Sequence, residues 1–182
     1  MDRRSLLAAG GTTLGALAIS AVAGSATSGA ATGEGFWHGT EQERRNLKTF
    51  DELDFDVFTN QKWGRLGESH AQDIRVHWPD GHFTDGIEKH ISDLKFLFVF
   101  APDTNILVHN HRLAAGDLTA VTGVMKGTFT RPMPLADGGV IQPTGKSFTL
   151  DMATVGHWRR GVMSEEWLFW DNQSYNKQLG IG

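Results

Sequence analysis

A carboxylate closes a strongly aromatic stretch of the chain, Trp167-Leu168-Phe169-Trp170-Asp171. Burial against aromatic rings disfavours an ionised carboxylate and raises its pKa, which lets it take and return a proton near neutral pH. Asp171 is therefore the leading acid/base candidate. It also fits as the N-cap of a terminal helix over residues 172–179, the commoner use of an Asp so placed. His157, beside a hairpin turn, and Asp171, at the far end of the following strand, would line one cavity at different depths without touching. A different chemistry is suggested by His109-Asn110-His111, where strand alternation puts two imidazoles on one face at a spacing that can chelate a divalent ion. No carboxylate follows at ligand spacing, so the pair is half of a metal site.

The elements that must position these groups are legible from periodicity. Leu47, Phe50, Leu53, Val57 and Phe58 recur at helical spacing and predict an amphipathic helix over residues 40–60, followed by a shorter helix or turn through Trp63 and Leu66. Residues 74–78 alternate like a short strand that Pro79-Asp80-Gly81 stops, and Ile87, Ile91, Leu94 and Phe98 predict a helix over 87–100. Four long strands follow, over 105–113, 118–130, 146–158 and 162–170. Ala115-Gly116-Asp117 and Arg159-Arg160-Gly161 are their tight links, and residues 131–145 form a longer loop. Thr149, Asp151, Ala153, Val155 and His157 would share one face of the third. In the fourth, Met163, Glu165, Trp167, Phe169 and Asp171 would share one face, and Ser164, Glu166, Leu168 and Trp170 the other. Helices first and an antiparallel meander afterwards is an α+β layout, one sheet with its helices on one face.

Before these elements stands a leader. Arg3-Arg4 precedes an Ala/Gly/Leu-rich run and small residues at Ala23, Ala26 and Ala30, the pattern of a twin-arginine export signal with its cleavage sites. The run lacks the bulky apolar block that a span of about 20 residues requires. Residues 1–33 are read as signal and linker and 34–182 as one domain, exported to the periplasm or outside the cell, with no membrane partner after cleavage. The absence of cysteine leaves stability to the core. A net charge of −4 without a basic block argues against nucleic acid as partner, and six Trp favour an apolar interior or pocket.

The ordered set of motifs resembles the SnoaL-like polyketide cyclases and related ester cyclases. Trp167 and Asp171, with Gln178-Leu179-Gly180 after them, are similar to the closing signature of that family. His77-Trp78-Pro79-Asp80-Gly81, Gly86, Pro102-Asp103, Gly116-Asp117 and Pro143-Thr144-Gly145-Lys146 resemble its earlier elements in the right order. The resemblance implies a cone-shaped, curved antiparallel sheet wrapped on N-terminal helices, the α+β barrel of the nuclear transport factor two-like superfamily, and a homodimer. It implies a ring-closing aldol reaction with no metal or organic cofactor. Asp171 would be the acid/base, His157 and His77 would be pocket histidines, and Trp78, Trp158, Trp167 and Phe169 would be the walls of a pocket for a small apolar ligand or substrate. With that added, Asp171 shifts from cap towards catalytic residue.

Two features depart from the family. An export signal does not suit an enzyme of cytoplasmic polyketide assembly, and the 131–145 loop is longer than the pattern leads one to expect. A non-catalytic domain that merely holds a small apolar molecule is the alternative reading.

Overall fold

The computed structural model describes residues 39–181. The signal and linker read over residues 1–33 lie outside them. Thr40 opens helix α1 (Glu41–Glu52) with a reciprocal capping box, its hydroxyl accepting from Glu43 N–H while the Glu43 carboxylate accepts from Thr40 N–H. The helix predicted over 40–60 does not run through as a regular one. It widens at Leu53–Phe58 into π geometry, where Thr59 N–H donates to Asp54 C=O five residues back at 3.3 Å. Such wide turns recur at functional sites because they re-aim one side chain of a helix. A 3₁₀ stretch, Trp63–Glu68, leads into the sheet.

Strand β1 (His70–His77) begins four residues before the predicted strand, and β2 (Phe83–Asp85) turns back on it. Gly86, at φ 90°, then starts α2 (Ile87–Phe100), a left-handed conformation that a side chain would resist. Strands β3 (Asn105–Ala115) and β4 (Leu118–Thr128) form the first long hairpin. The long loop contains a minimal hairpin, β5 (Met133–Pro134) with β6 (Val140–Ile141). Strands β7 (Ser147–Arg159) and β8 (Val162–Trp170) and helix α3 (Asn172–Leu179) complete the chain.

The large sheet runs β2-β1-β8-β7-β4-β3. The expected α+β layout of a curved sheet with N-terminal helices is observed, with one difference in detail. The sheet is mixed, because β1 lies parallel to β8 instead of extending the antiparallel meander. One face packs on the helices, burying Phe50, Leu53, Val57, Leu94 and Phe98 against Ile74, Val76, Val121, Met125, Leu150 and Leu168.

Two bulges decide which side chains reach that inner face. In β8, His157 pairs with Glu165 and Trp158 with Met163, so Ser164 is an extra residue and the predicted alternation breaks there. Met163 is fully buried while Glu165 and Trp167 lie on the outer face, and Glu166 and Leu168 point inward. In β3, His109 pairs with Gly123 and His111 with Thr122, leaving Asn110 extra. His109 and His111 therefore do not share a face.

Gly156 lies opposite Glu166 on β7, and a Cβ there would come within 2.5 Å of Met163 Sδ and 3.1 Å of Thr119 Oγ1. Gly156→Ala should lower stability by about 1–3 kcal/mol through overpacking, read from the urea midpoint at unchanged slope.

Candidate active site

The inner face and the helices enclose a small cavity of about 40 Å³. Its walls are mostly apolar, with Leu53, Phe58, Leu94, Met125, Leu168 and Trp170 among them. Four ionisable side chains interrupt this wall: Asp54 from the π turn, His70 from the start of β1, His90 from α2 and Glu166 from β8. An apolar space with a few convergent polar groups has the chemistry of a small-molecule site, though at about 40 Å³ it is well below the roughly 300–1,000 Å³ of a typical ligand pocket.

Asp54 heads a chain of charges. His109 Nε2 lies 2.8 Å from Asp54 Oδ2, and its Nδ1 lies 2.8 Å from Asp51 Oδ1, whose other oxygen pairs with Arg112 at the surface. Only an imidazolium, with hydrogen on both nitrogens, can donate to both carboxylates. Burial pushes the His109 pKa down, but the hydrogen bonds and charges of Asp54 and Asp51 outweigh it and hold the ring above its ordinary 6.5. For Asp54 the balance goes the other way. Its burial outweighs the His109 contacts, and its pKa rises above the ordinary carboxylate value.

The second group is the trio of His70, His90 and Glu166, only 2%, 2% and 4% exposed. Glu166 Oε2 lies 3.6 Å from His70 Nε2 and 3.5 Å from His90 Nε2. Burial pulls the His90 pKa down to about 4, so its ring is neutral at neutral pH. Ser69 Oγ donates to Leu66 C=O at 3.1 Å and lies 2.8 Å from His70 Nδ1, a contact that orients the ring.

The residues singled out in the sequence lie elsewhere for the most part. Asp171 caps α3, its Oδ1 accepting from Gln173 N–H at 2.9 Å and Ser174 N–H at 3.1 Å. It borders a shallow open groove on the outer face together with His111, Asp151 and Phe169. His77 faces outward, 2.8 Å from Glu165 Oε1 and stacked on Trp167 at 5.1 Å. His157 is 3.0 Å from Asp117 Oδ2 across the hairpin. Among the expected walls, Trp78 lines the cavity and Trp158 is buried beside Thr119, to whose hydroxyl its indole N–H donates at 2.8 Å. Trp167 and Phe169 stand on the outer face, Phe169 at 52% exposure. The two imidazoles weighed as half of a metal site are set apart by the Asn110 bulge, His109 lying between two carboxylates and His111 beside the Thr122 hydroxyl at 3.0 Å.

Asp54, His70, His90 and Glu166 were absent from the sequence candidates. Three of them sit at an apolar position of their own pattern: Asp54 four residues after Phe50, His90 between Ile87 and Leu94, Glu166 two before Leu168. A charged or imidazole side chain on a buried stripe was the signal available. For His70 the signal was missing, because the predicted strand began at Ile74.

A sequence model of the SnoaL-like polyketide cyclases matches residues 49–179. The chain belongs to that family. Among solved structures, a candidate SnoaL-like polyketide cyclase from Jannaschia sp. CCS1 superposes with a TM-score of 0.69 at 19% identity, over 79% of this chain and 97% of that one. IdmH, a candidate polyketide cyclase from Streptomyces antibioticus, gives 0.63 at 26% identity over 75% and 99%. A candidate polyketide cyclase from Xanthomonas campestris pv. campestris gives 0.66 at 15% identity over 76% and 98%. No curated protein matches the chain. In this SnoaL-like chain, Asp171→Ala should lower stability by about 1 kcal/mol through loss of the cap, with the proton-transfer rate per folded molecule unchanged. A rate loss beyond the folded fraction would return Asp171 to the acid/base role that its family motif implies.

Proposed function

We propose that the chain catalyses proton transfer next to the carbonyl of a small apolar compound, an enolisation that leads to intramolecular aldol closure where the substrate carries a second carbonyl. One observation carries this reading: a carboxylate of raised pKa, Asp54, lines a small, mostly apolar cavity and is held from behind by the His109 ring. Asp54 takes the proton from carbon and the bonding pair moves to the carbonyl oxygen, which accepts from the N–H of His90, whose buried Nδ1 has no partner among the described residues. Its raised pKa makes Asp54 a stronger base than an ordinary aspartate. The dry wall keeps the developing charge close to fixed groups instead of mobile water. Proton transfer by Asp54 requires no group beyond the chain.

The small enclosed volume favours a compact carbonyl compound over an assembled polycyclic polyketide. With a twin-arginine leader at its head, the chain would meet that compound outside the cytoplasm. A homodimer would use exposed apolar surface such as that at Leu107, Leu113 and Phe169. The test is deuterium incorporation from D₂O into a panel of the smallest aliphatic ketones and β-keto esters. Wild type should exchange the position next to the carbonyl and Asp54→Asn should not. Equal exchange by both proteins would sink the proposal, and binding without exchange in wild type would mark a carrier.

A further inference from the structure

His70 and His90 meet Glu166 in a way that hydrogen bonding does not explain. The Ser69 hydroxyl lies 3.1 Å from Leu66 C=O and 2.8 Å from His70 Nδ1; with its hydrogen on the carbonyl, His70 Nδ1 donates to Ser69 Oγ and a neutral ring presents the Nε2 lone pair as a free ligand. That lone pair faces Glu166 Oε2, itself rich in electrons, at 3.6 Å. Both atoms are buried and neither has a hydrogen-bond partner among the described residues; the same holds for His90 Nδ1. In that tautomer two lone pairs face one another inside an apolar wall, an arrangement relieved by a cation between them, either a proton on His70 or a metal ion.

We propose that His70, His90 and Glu166 bind one divalent transition-metal ion. Two imidazoles and a carboxylate are the donor set of open catalytic zinc sites and of sites for other borderline metals. One ligand atom from each residue lies within 4.8 Å of the others. Ligands at the usual metal distance are about 3.4 Å apart along a tetrahedral edge. The two spacings to Glu166 Oε2, 3.5 and 3.6 Å, are close to that edge and too long for hydrogen bonds between these groups. Ser69 supplies the outer contact that orients a ligating imidazole. Three protein ligands leave a coordination position directed to the cavity, whose small volume suits an ion with water or one carbonyl oxygen. The inference rests on the proposed enolisation only for the ion's use, which is to hold the carbonyl oxygen as Asp54 removes the proton.

The experiment uses the full chain, stripped with EDTA and titrated with Zn²⁺ by calorimetry and with Co²⁺ by visible absorption. The expected result is one ion per chain, an intense Co²⁺ band of low-coordinate type, and a rise in thermal midpoint with Zn²⁺. His90→Gln and Glu166→Gln should each weaken binding by at least about 10-fold. His111→Ala and His157→Ala should leave it unchanged. Circular dichroism of the stripped variants separates lost ligands from lost fold, and the wild-type Co²⁺ spectrum stands if either variant fails to fold. Absence of stoichiometric binding by wild type would overturn the site, as would binding that survives both Gln variants or is lost with His111. Deuterium exchange by a chain that binds no metal would remove the ion and leave the proton transfer standing. Metal binding without exchange would do the reverse.

Discussion

Asp54→Asn should reduce deuterium exchange by about 10²–10⁴-fold, the usual contribution of a positioned general base. Asparagine keeps the shape of the side chain and can still accept from His109 Nε2–H through its amide oxygen, so the contact at 2.8 Å survives while the basic oxygen is lost. Stability should change little, because replacing a buried carboxylate by an amide removes both its desolvation cost and its attraction to the imidazolium. The two consequences together distinguish a base from a structural carboxylate, whose loss would appear in the unfolding midpoint before it appeared in the rate. A companion variant locates the source of the tuning. With His109→Asn the imidazolium that holds the Asp54 pKa down is gone, so burial acts unopposed and the pH above which exchange switches on should move upward. The pH–rate profile reads that displacement directly. An unchanged profile would mean that Asp54 is not the titrating group.

The order and type of the elements were legible in the sequence because apolar spacing and turn residues report them directly. The motifs around His77, Gly116-Asp117 and Trp167 to Gly180 placed the chain in its family. The face of the sheet was not legible, and the outward placement of His77, Trp167 and Phe169 follows from that. Strand alternation groups Thr149, Asp151, Ala153, Val155 and His157 correctly, but periodicity says nothing about which of two faces the helices will cover. An aromatic-rich face suggested an interior at Trp167 and Phe169, yet the packed face is the one carrying Leu150, Thr154 and Leu168. The bulges at Ser164 and Asn110 break the alternation where no Gly or Pro marks them, so the positions of Met163 and His109 follow only from paired strands. Asp54 was hidden for a related reason. A regular helix predicts the stripe Leu47, Phe50, Leu53, Val57, and the π turn that places a carboxylate in this wall has no clear signature of its own.

Folding stability of the metal-stripped chain should decline on both the acid and the alkaline side of neutrality, for opposite reasons. On the acid side the controlling group is His90. Its folded pKa is depressed to about 4 from an ordinary 6.5, so the unfolded chain binds a proton that the folded chain refuses. The stability tied to the neutral ring is fully present above the unfolded value and is lost as pH falls towards the folded one, about 3 kcal/mol across that interval. On the alkaline side His109 acts with the reverse sign. Its folded pKa is raised, so the folded chain holds a proton that the unfolded chain releases above 6.5, and that stabilisation fades as pH rises through the raised value. Asp54, also raised, contributes stability that is lost as pH rises from its ordinary 3.8 through its folded value, a window that opens on the acid side and runs against the His90 limb. Urea midpoints measured in EDTA from about pH 4 to about pH 9 trace both limbs. His90→Leu should flatten the acid limb and leave the alkaline one, and His109→Asn should do the opposite. An acid limb that persists unchanged without His90 would show that a different group takes up the proton on unfolding.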